Sequence, residues 1–577
     1  MANAGIAAIF REFAEFLELK GENPFKIRAY RRAADILEDL NEDAAELARE
    51  GQLKNIQGIG KAMEEKTREI ADTGTLEALE DLRAEYPPGV MDMMRRVPGI
   101  GPKTASLVFR RLGVAGIDQL EEAARSGKLR TLPGMGQKSE ENILIAIEKL
   151  KKEDMTRIPL VIADRLCASL INFISSHVGP SEISAAGSVR RRKETCGDVD
   201  VVLGIDDSSR ISDLIRSWSG FLSMNSSNED RVVFTAGGDV EVDISIVKPE
   251  EFPFALLSTT GSKLHYNGLK SIASRLGLKL TRHGLFREKG ESLDAGDEAD
   301  IYEALGMEYI PPELREMTGE IEVALERRLP RLLVAEDIRG DLHMHTNWSD
   351  GTESVESMVE AAQALGYEYV AITDHSKSLK VARGLSETRL FKQLEILRRL
   401  RDRFPGIHVL SGIELEILKD GNLDYPDTVL SHLDIVVASV HSAFGQPEDV
   451  MTSRIVKAIQ SGSVDIIAHP TGRVLGRRLG YDVDMDTVIQ EAARHNVALE
   501  INAYPERMDL DSVWARKAAE AGAYIVINTD SHNTNELRFM SYGLDVARRA
   551  WLEQSHVINT WPLSKLQAWL KRRRMRV

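Results

Sequence analysis

At 577 residues the chain is too long for one hydrophobic core, so two to four domains are expected. Hydrophobic residues at 43% and charged residues at 28% suit a globular protein, and no apolar run approaches the ~20 residues that cross a bilayer. Two cysteines, Cys167 and Cys196, exclude a disulfide framework and a cysteine-rich zinc finger. A net charge of −16 argues against nucleic acid as a partner only if basic residues are dispersed, and they are clustered at Lys26–Arg32, Arg190–Lys193 and Lys571–Arg576. For the last run a solvated helix face is the simpler reading. Early charges within the apolar pattern of residues 1–25 predict an amphipathic helix rather than a secretory signal, and hence a cytoplasmic protein.

Residues 1–150 carry helical spacing of apolar residues and no convincing strand. Within them a unit recurs at NIQGIGKAMEEKTREI from Asn55, RVPGIGPKTASLVFRRL from Arg96 and TLPGMGQKSEENILIAI from Thr131. Each pairs two glycines one residue apart (Gly58 and Gly60, Gly99 and Gly101, Gly134 and Gly136), then a basic residue, then a helix. Such pairs permit a tight hairpin whose N–H groups face outward at a helix start and hold phosphate without reading a base. One copy is weak evidence; three on one framework make a simple glycine cap improbable. The units resemble helix-hairpin-helix motifs of DNA repair proteins, which grip the sugar-phosphate backbone. Together with NPFKIRAYRRAADIL (Asn23–Leu37), the first is similar to the N-terminal domain of family X DNA polymerases. The resemblance implies that Lys66, on the helix after the hairpin, is either a lyase nucleophile or a phosphate contact; Ala62 replaces a neighbouring family lysine.

From about Lys152 to Glu316 the pattern becomes mixed α/β. Asp198 and Asp200 lie two apart on an expected strand and so face one side, and a second strand, DVEVDISIV (Asp239–Val247), offers Asp243. Three carboxylates on adjacent strands can hold two divalent ions for in-line displacement at phosphorus. Upstream, Gly187 and Ser188 open a turn and Arg190 and Arg191 follow, a hydroxyl and guanidinium set suited to a triphosphate. The order G-S-x-R-R then G-D-x-D resembles the nucleotidyltransferase palm of family X polymerases. That resemblance implies Asp198, Asp200 and Asp243 as catalytic metal ligands for two Mg²⁺ or Mn²⁺, and Ser188, Arg191 and Gly197 as nucleotide contacts. TTGSKLHYNGLK (Thr259–Lys270) and ADIYEALGMEYIPPELRE (Ala299–Glu316) look like its nucleotide-closing subdomain. Several positions depart from the family: Ser258 and Thr259 replace an aromatic pair, Glu241 an Arg, and Tyr266 an Asn. Arg192 also stands where the family has Gly.

After a charged linker (Glu313–Arg339), apolar strand-like runs ending near 345, 373, 414, 440, 468, 502 and 529 alternate with helical stretches. The alternation predicts a parallel β/α barrel of about seven units, with its site at the strand C-termini. There stand His343, His345, Asp350, His375, Glu414, His441, His469, Asp530 and His532, including six of the chain's 13 histidines. Nine ligands exceed one tetrahedral zinc and suffice for two or three ions, with mixed imidazole and carboxylate favouring Mn²⁺ or Zn²⁺. Asp374 and Asp434 adjoin the motifs without being counted, Glu414 is expected to bridge two ions, and Arg383, Arg473 and Lys419 are candidates for substrate phosphate. DLHMHTNWSDG, TDHS, GIELE, VHS, AHP and TDSH together resemble the polymerase-and-histidinol-phosphatase (PHP) family, which implies metal-assisted phosphoester hydrolysis.

Taken whole, the chain resembles family X DNA polymerases fused to a PHP domain. The expected divisions are an N-terminal lyase-like domain (1–85), a helix-hairpin-helix subdomain (86–151), a palm (152–250), a closing subdomain (251–317), a linker (318–339) and a distorted (β/α)7 PHP barrel (340–577). The resemblance implies a monomeric, nucleoid-associated repair enzyme that fills gapped or nicked DNA from dNTPs and removes 3′-terminal nucleotides, with incision at abasic sites as a related activity. Two alternatives stand: a PHP nuclease whose polymerase core mainly binds DNA, and a small-molecule phosphatase.

Overall fold

The computed structural model describes residues 3–574 apart from 39, 41, 88, 89, 92, 95, 96, 98, 179, 180 and 288–290. Arg96 and Pro98 of the second glycine repeat, and residues 575 and 576 of the C-terminal basic run, lie outside them. The chain forms two compact units, Met1–Thr156 with Ser271–Lys279, and Arg157–Lys270 with Leu280–Val577. No helix among the described residues is long and apolar enough to cross a membrane.

The described residues of 3–156 form helices and short turns around one core of Phe10, Phe13, Tyr30, Leu53, Ile70, Tyr86, Val108 and Ile147. The three repeats share one backbone turn, with Ile59 N–H donating to Ile56 O at 3.0 Å, Ile100 to Val97 at 3.0 Å and Met135 to Leu132 at 3.1 Å. The first glycine of each pair takes the left-handed conformation, with φ of +104° at Gly58, +94° at Gly99 and +81° at Gly134. A Cβ there would strain the turn. Gly60 and Gly101 then cap the helices Lys61–Thr73 and Pro102–Leu112. In the first and third repeats a buried glutamate ten residues on braces the hairpin's entry: Glu64 accepts from Lys54 N–H, and Glu140 from Arg130 N–H, each at 3.0 Å.

The second unit opens with the helix Leu160–His177 and a five-stranded sheet: β1 (Glu182–Ala185), β2 (Val199–Gly204), β3 (Phe221–Ser227), β4 (Arg231–Ala236) and β5 (Val240–Val247). The strand order is β1-β2-β5-β4-β3, with β2 and β5 parallel and the remaining pairs antiparallel. Asp198 lies one residue before β2 rather than on it.

The barrel follows as seven parallel strands in sequential order: β6 (Gly340–Asp341), β7 (Tyr369–Ile372), β8 (His408–Glu416), β9 (Ile435–Ser439), β10 (Ile466–Ile467), β11 (Ala498–Asn502) and β12 (Ile525–Asn528). Alternate residues of one strand serve different cores. Tyr369, Ala371, Leu410, Val437 and Val526 line the interior with Trp561 and Trp569, whereas Val370, Ile372, Val409 and Ile527 pack outward against helices. Helix starts are fixed by Ser354, Ser386, Asp484 and Asp511, whose side chains accept first-turn N–H groups. The first strand ends at 341, short of the expected 345. Beyond it, Met344 makes one isolated parallel bridge to Ser531, which nearly closes the barrel.

The segment read as a charged linker is packed rather than free, because its charges find partners. Arg315 is fully buried against Glu298 at 2.7 Å, Glu320 meets His265 at 2.6 Å, and Glu313 accepts from Arg548 at 2.7 Å.

Candidate active sites

The barrel brings all nine predicted residues to one end. Three overlapping groups (His345, Asp350, His375 and His532; His343, His345 and Asp530; His375, Glu414 and His441) have ligand atoms within 4.8 Å of one another. Glu414 is the hub. Its Oε2 lies 3.5 Å from His343, 3.5 Å from His345 and 2.7 Å from His375, while Oε1 faces His441 at 3.3 Å and His469 at 3.1 Å. Asp530 joins His345 at 3.0 Å and Asp350 joins His375 at 3.4 Å. His469 and Asp530 both hold left-handed backbones, with φ of +30° and +54°, which a non-glycine residue adopts at a cost.

The donor set fits divalent cations. His375 Nδ1 and Glu414 Oε2 approach to 2.7 Å, yet each is buried without a hydrogen-bond partner, as are Nδ1 of His345 and of His469. Lone pairs crowded together without hydrogen-bond geometry are satisfied by cations between them. Burial opposes charge throughout the cluster, yet Glu414 is held well below the usual carboxylate range by His375, His441 and His343. His375 rises to about 10 despite its burial, through Glu414 and Asp350, whereas burial beside His532 and His375 pushes His345 down to about 4.

Outside the nine, several residues orient these side chains. Glu500 (β11) accepts from His343 Nδ1 at 2.8 Å, and Glu416 pairs with His441 Nδ1 at 3.0 Å. An acid inside an otherwise apolar strand such as ALEIN is the signal that could have found Glu500. Asp374 accepts from Thr346, Ser349 and Gln393, and Asp434 from Ser411 and Arg401, so both hold loops. Arg473 is spent on the carbonyls of Arg507 and Met508 and lies near Asp511, whereas Arg507 reaches within 3.8 Å of Asp530. Arg383 and Lys419 are exposed.

In the five-stranded sheet, Asp200 and Asp243 sit directly opposite each other on parallel β2 and β5. Burial and then the charges of Asp198 and Asp243 raise Asp200 to about 7; burial, Asp243 and Glu241 likewise raise Asp198. Mutual repulsion of this kind is what bound cations relieve. Gly187 (φ +53°) is required because a Cβ there would fall 1.8 Å from Asp200 Oδ2. Ser188 Oγ is buried without a partner, and Gly197 is exposed. Arg191 donates through Nε to Glu316 at 2.9 Å and to the Thr260 carbonyl, and Arg190 clasps Glu298 at 2.9 and 2.6 Å. Glu241 is exposed and accepts from Asn225 at 3.1 Å. From β4, Arg231, which the sequence reading missed, grips Asp243 at 2.9 and 3.0 Å. Ser258 Oγ donates to Ala255 O at 3.1 Å, and Tyr266 buries its hydroxyl without a partner. A cavity of about 350 Å³ lies behind Arg190, between Phe252 and Tyr309, and includes none of the three aspartates.

In the helical region, a Cβ at Gly60, Gly99, Gly101, Gly134 or Gly136 would meet nothing within 4 Å, so these hairpin tips leave room for a close-lying backbone. Lys66 is partly buried, with Nζ 5.2 Å from the centre of the Phe13 ring.

Residues 1–76 match the helix-hairpin-helix domain family, 91–149 the SAM-like helix-hairpin-helix tandem, 255–316 the DNA polymerase beta thumb and 341–504 the PHP domain. The "DNA polymerase/3'-5' exonuclease PolX" of Bacillus subtilis (strain 168) is 38% identical over 575 residues, covering 99% of this chain and 100% of that protein. A "Probable phosphatase" of Shewanella sediminis is 34% identical over 242 residues, 40% of this chain and 94% of its own. Another, from Thermoanaerobacter sp. (strain X514), is 28% identical over 248 residues, 41% of this chain and 96% of its own.

Proposed function

From the premise that this chain belongs to the bacterial PolX family of family X DNA polymerases fused to a PHP domain, we propose that it fills short gaps in DNA and trims 3′ ends at two separate centres. It is a DNA polymerase and 3′-5′ exonuclease that uses divalent metals, dNTPs and DNA. What carries the division of labour is the presence in one chain of two dissimilar ligand sets: Asp200 and Asp243 on adjacent strands with Asp198 just before the first, and nine imidazoles and carboxylates with Glu414 at their centre.

At the first centre Asp198, Asp200 and Asp243 would hold two ions, Mg²⁺ or Mn²⁺, with Arg231 fixing Asp243. The primer 3′-oxygen displaces pyrophosphate from the α-phosphorus of the dNTP. Ser188, Arg191 and Gly197 would orient the triphosphate, the guanidinium fork matching its oxygens. At the second centre His343, His345, Asp350, His375, Glu414, His441, His469, Asp530 and His532 would hold two or three ions, Mn²⁺ or Zn²⁺. Bound cations supply Lewis-acid stabilisation of charge developing on phosphoryl oxygens. Glu500 and Glu416 would keep His343 and His441 turned to that end, and Arg507, 3.8 Å from Asp530, would meet the scissile phosphate. The hairpins at Gly58, Gly99 and Gly134 would grip the DNA backbone of a gapped or nicked substrate, and Lys66 would contact phosphate or, at an abasic site, the sugar. The molecule would act as a monomer on nucleoid DNA in the cytoplasm, with the domain order expected from sequence but with 318–339 packed rather than a free linker.

A labelled primer on gapped DNA with Mn²⁺, with and without dNTPs, tests this. Asp198→Ala should abolish extension and leave shortening; His343→Ala should do the reverse. Shortening that survives His343→Ala would remove the barrel as the nuclease. Incorporation indifferent to Asp198→Ala would leave the polymerase half a scaffold. A chromogenic phosphomonoester run alongside separates the small-molecule phosphatase reading.

A further inference from the structure

The stretch Arg190–Glu194, which continues the triphosphate-binding turn toward the aspartates, is held from the barrel side. Arg192 has a left-handed backbone, φ +56°, and donates to Asp545 at 2.8 Å and Asp164 at 2.6 Å. Glu194 accepts from Ser512 N–H at 3.4 Å and lies 3.9 Å from Arg549. Asp545 and Arg549 both belong to the helix Met540–Arg549, which follows the last barrel strand. Arg549 is 7% exposed and donates through one nitrogen to two acceptors, the Arg191 carbonyl at 3.0 Å and Glu316 Oε1 at 3.2 Å.

That same Glu316 oxygen accepts from Arg191 Nε at 2.9 Å. Arg191 is thus fixed at its backbone by Arg549, along one edge of its fork by Glu316, and at Nη1 by the Thr260 carbonyl. Among the described residues Nη2 is left uncommitted. A long side chain that must present a planar fork to a triphosphate loses less entropy on binding when its other edges are already tied. Glu316 can act as that tie only if it is itself held, and Arg549 holds it. We propose that Arg549, although it belongs to the PHP half, is a positioning residue for the polymerase reaction, acting through Glu316 to preorganise Arg191 for the incoming dNTP. This rests on the reading of Arg191 as a triphosphate contact.

The test is single-nucleotide insertion into gapped DNA with Mg²⁺, measuring kcat and KM for the dNTP, with primer shortening without dNTP measured on the same preparations. Arg549→Gln should raise KM by about 5-fold while kcat and shortening stay within about 2-fold. Arg549→Lys, which keeps the charge, should recover part of the loss. Glu316→Gln should raise KM to a similar extent, and the double variant should be no worse than Glu316→Gln alone, as expected for residues acting in series. An unchanged KM in Arg549→Gln, effects of the two substitutions that multiply, or loss of both activities in Arg549→Gln and Arg549→Lys alike would overturn the proposal. Arg191→Gln separates the two layers. If it leaves KM unchanged, the reading of the triphosphate turn fails; if it raises KM while Arg549→Gln does not, only the relay fails.

Discussion

Replacing Glu500 by Gln keeps the size of a fully buried side chain but weakens the acceptor that turns His343 toward Glu414. The variant should bind Mn²⁺ about 10- to 100-fold more weakly and lose primer shortening to match, with extension unaffected. Metal titration followed by both assays checks this, and unaltered metal affinity would contradict it. At this scale most of the nine candidate ligands were legible because they stand at the ends of apolar runs, where chance seldom places imidazoles. Glu500 and Arg231 were not. One sits within a strand, and the other matters only through Asp243, twelve residues away on the neighbouring strand. Arg191 was legible as a guanidinium after a Gly-Ser turn, but its tether Glu316 is 125 residues distant.

Between elements, the clamp of Arg190 and Arg315 on Glu298 ties the turn after β1 to the helix Glu298–Ala304. Burial alone would raise this carboxyl, yet Arg190 and Arg315 bring it down to about 2. With an unfolded value of ~4.3, its ionised form contributes stability in full above about pH 5. That contribution is lost as pH falls through ~4 toward 2. Glu298→Gln leaves Arg315 buried without a countercharge and should cost about 3–5 kcal/mol at pH 7. The gap from the unaltered chain should narrow as pH falls from 5 toward 2, which denaturant melts at stepped pH would measure; a gap constant with pH would exclude the ion pair as its source. Sequence periodicity located most barrel strands, because they are buried on both faces and rich in apolar residues, as in Tyr369–Ile372, Ile435–Ser439 and Ile525–Asn528. The first strand was placed four residues too long, since His343 and His345 follow Leu342 without a break in the pattern yet pair through only one bridge.

For the molecule as a whole, domain order was readable from repeats and motifs, but the packing of its second unit was not. Arg192 and Asp545 are 353 residues apart, and nothing local to either advertises the other. Glu313–Arg339 looked like a tether because charge without periodicity usually means solvent; here the charges are matched by partners such as Arg548 and Glu298, and the segment is folded down. The barrel's seam is different again. Its first and last strands meet through Met344 and Ser531, backed by Asn528 to Leu342 N–H at 3.0 Å and Asn559 to the Gly340 carbonyl at 2.9 Å. His343 and His345 stand on one lip and Asp530 and His532 on the other, so cations held among them would rivet a seam whose backbone is joined by a few hydrogen bonds, His345 N–H to Ser531 O at 2.8 Å and Asp530 N–H to His343 O at 3.0 Å among them. Chelation should therefore quicken amide exchange at Met344, His345 and Ser531 well before it reaches Leu410 or Val437 on the opposite wall. Uniform loosening around the ring would mean that the hoop closes by itself.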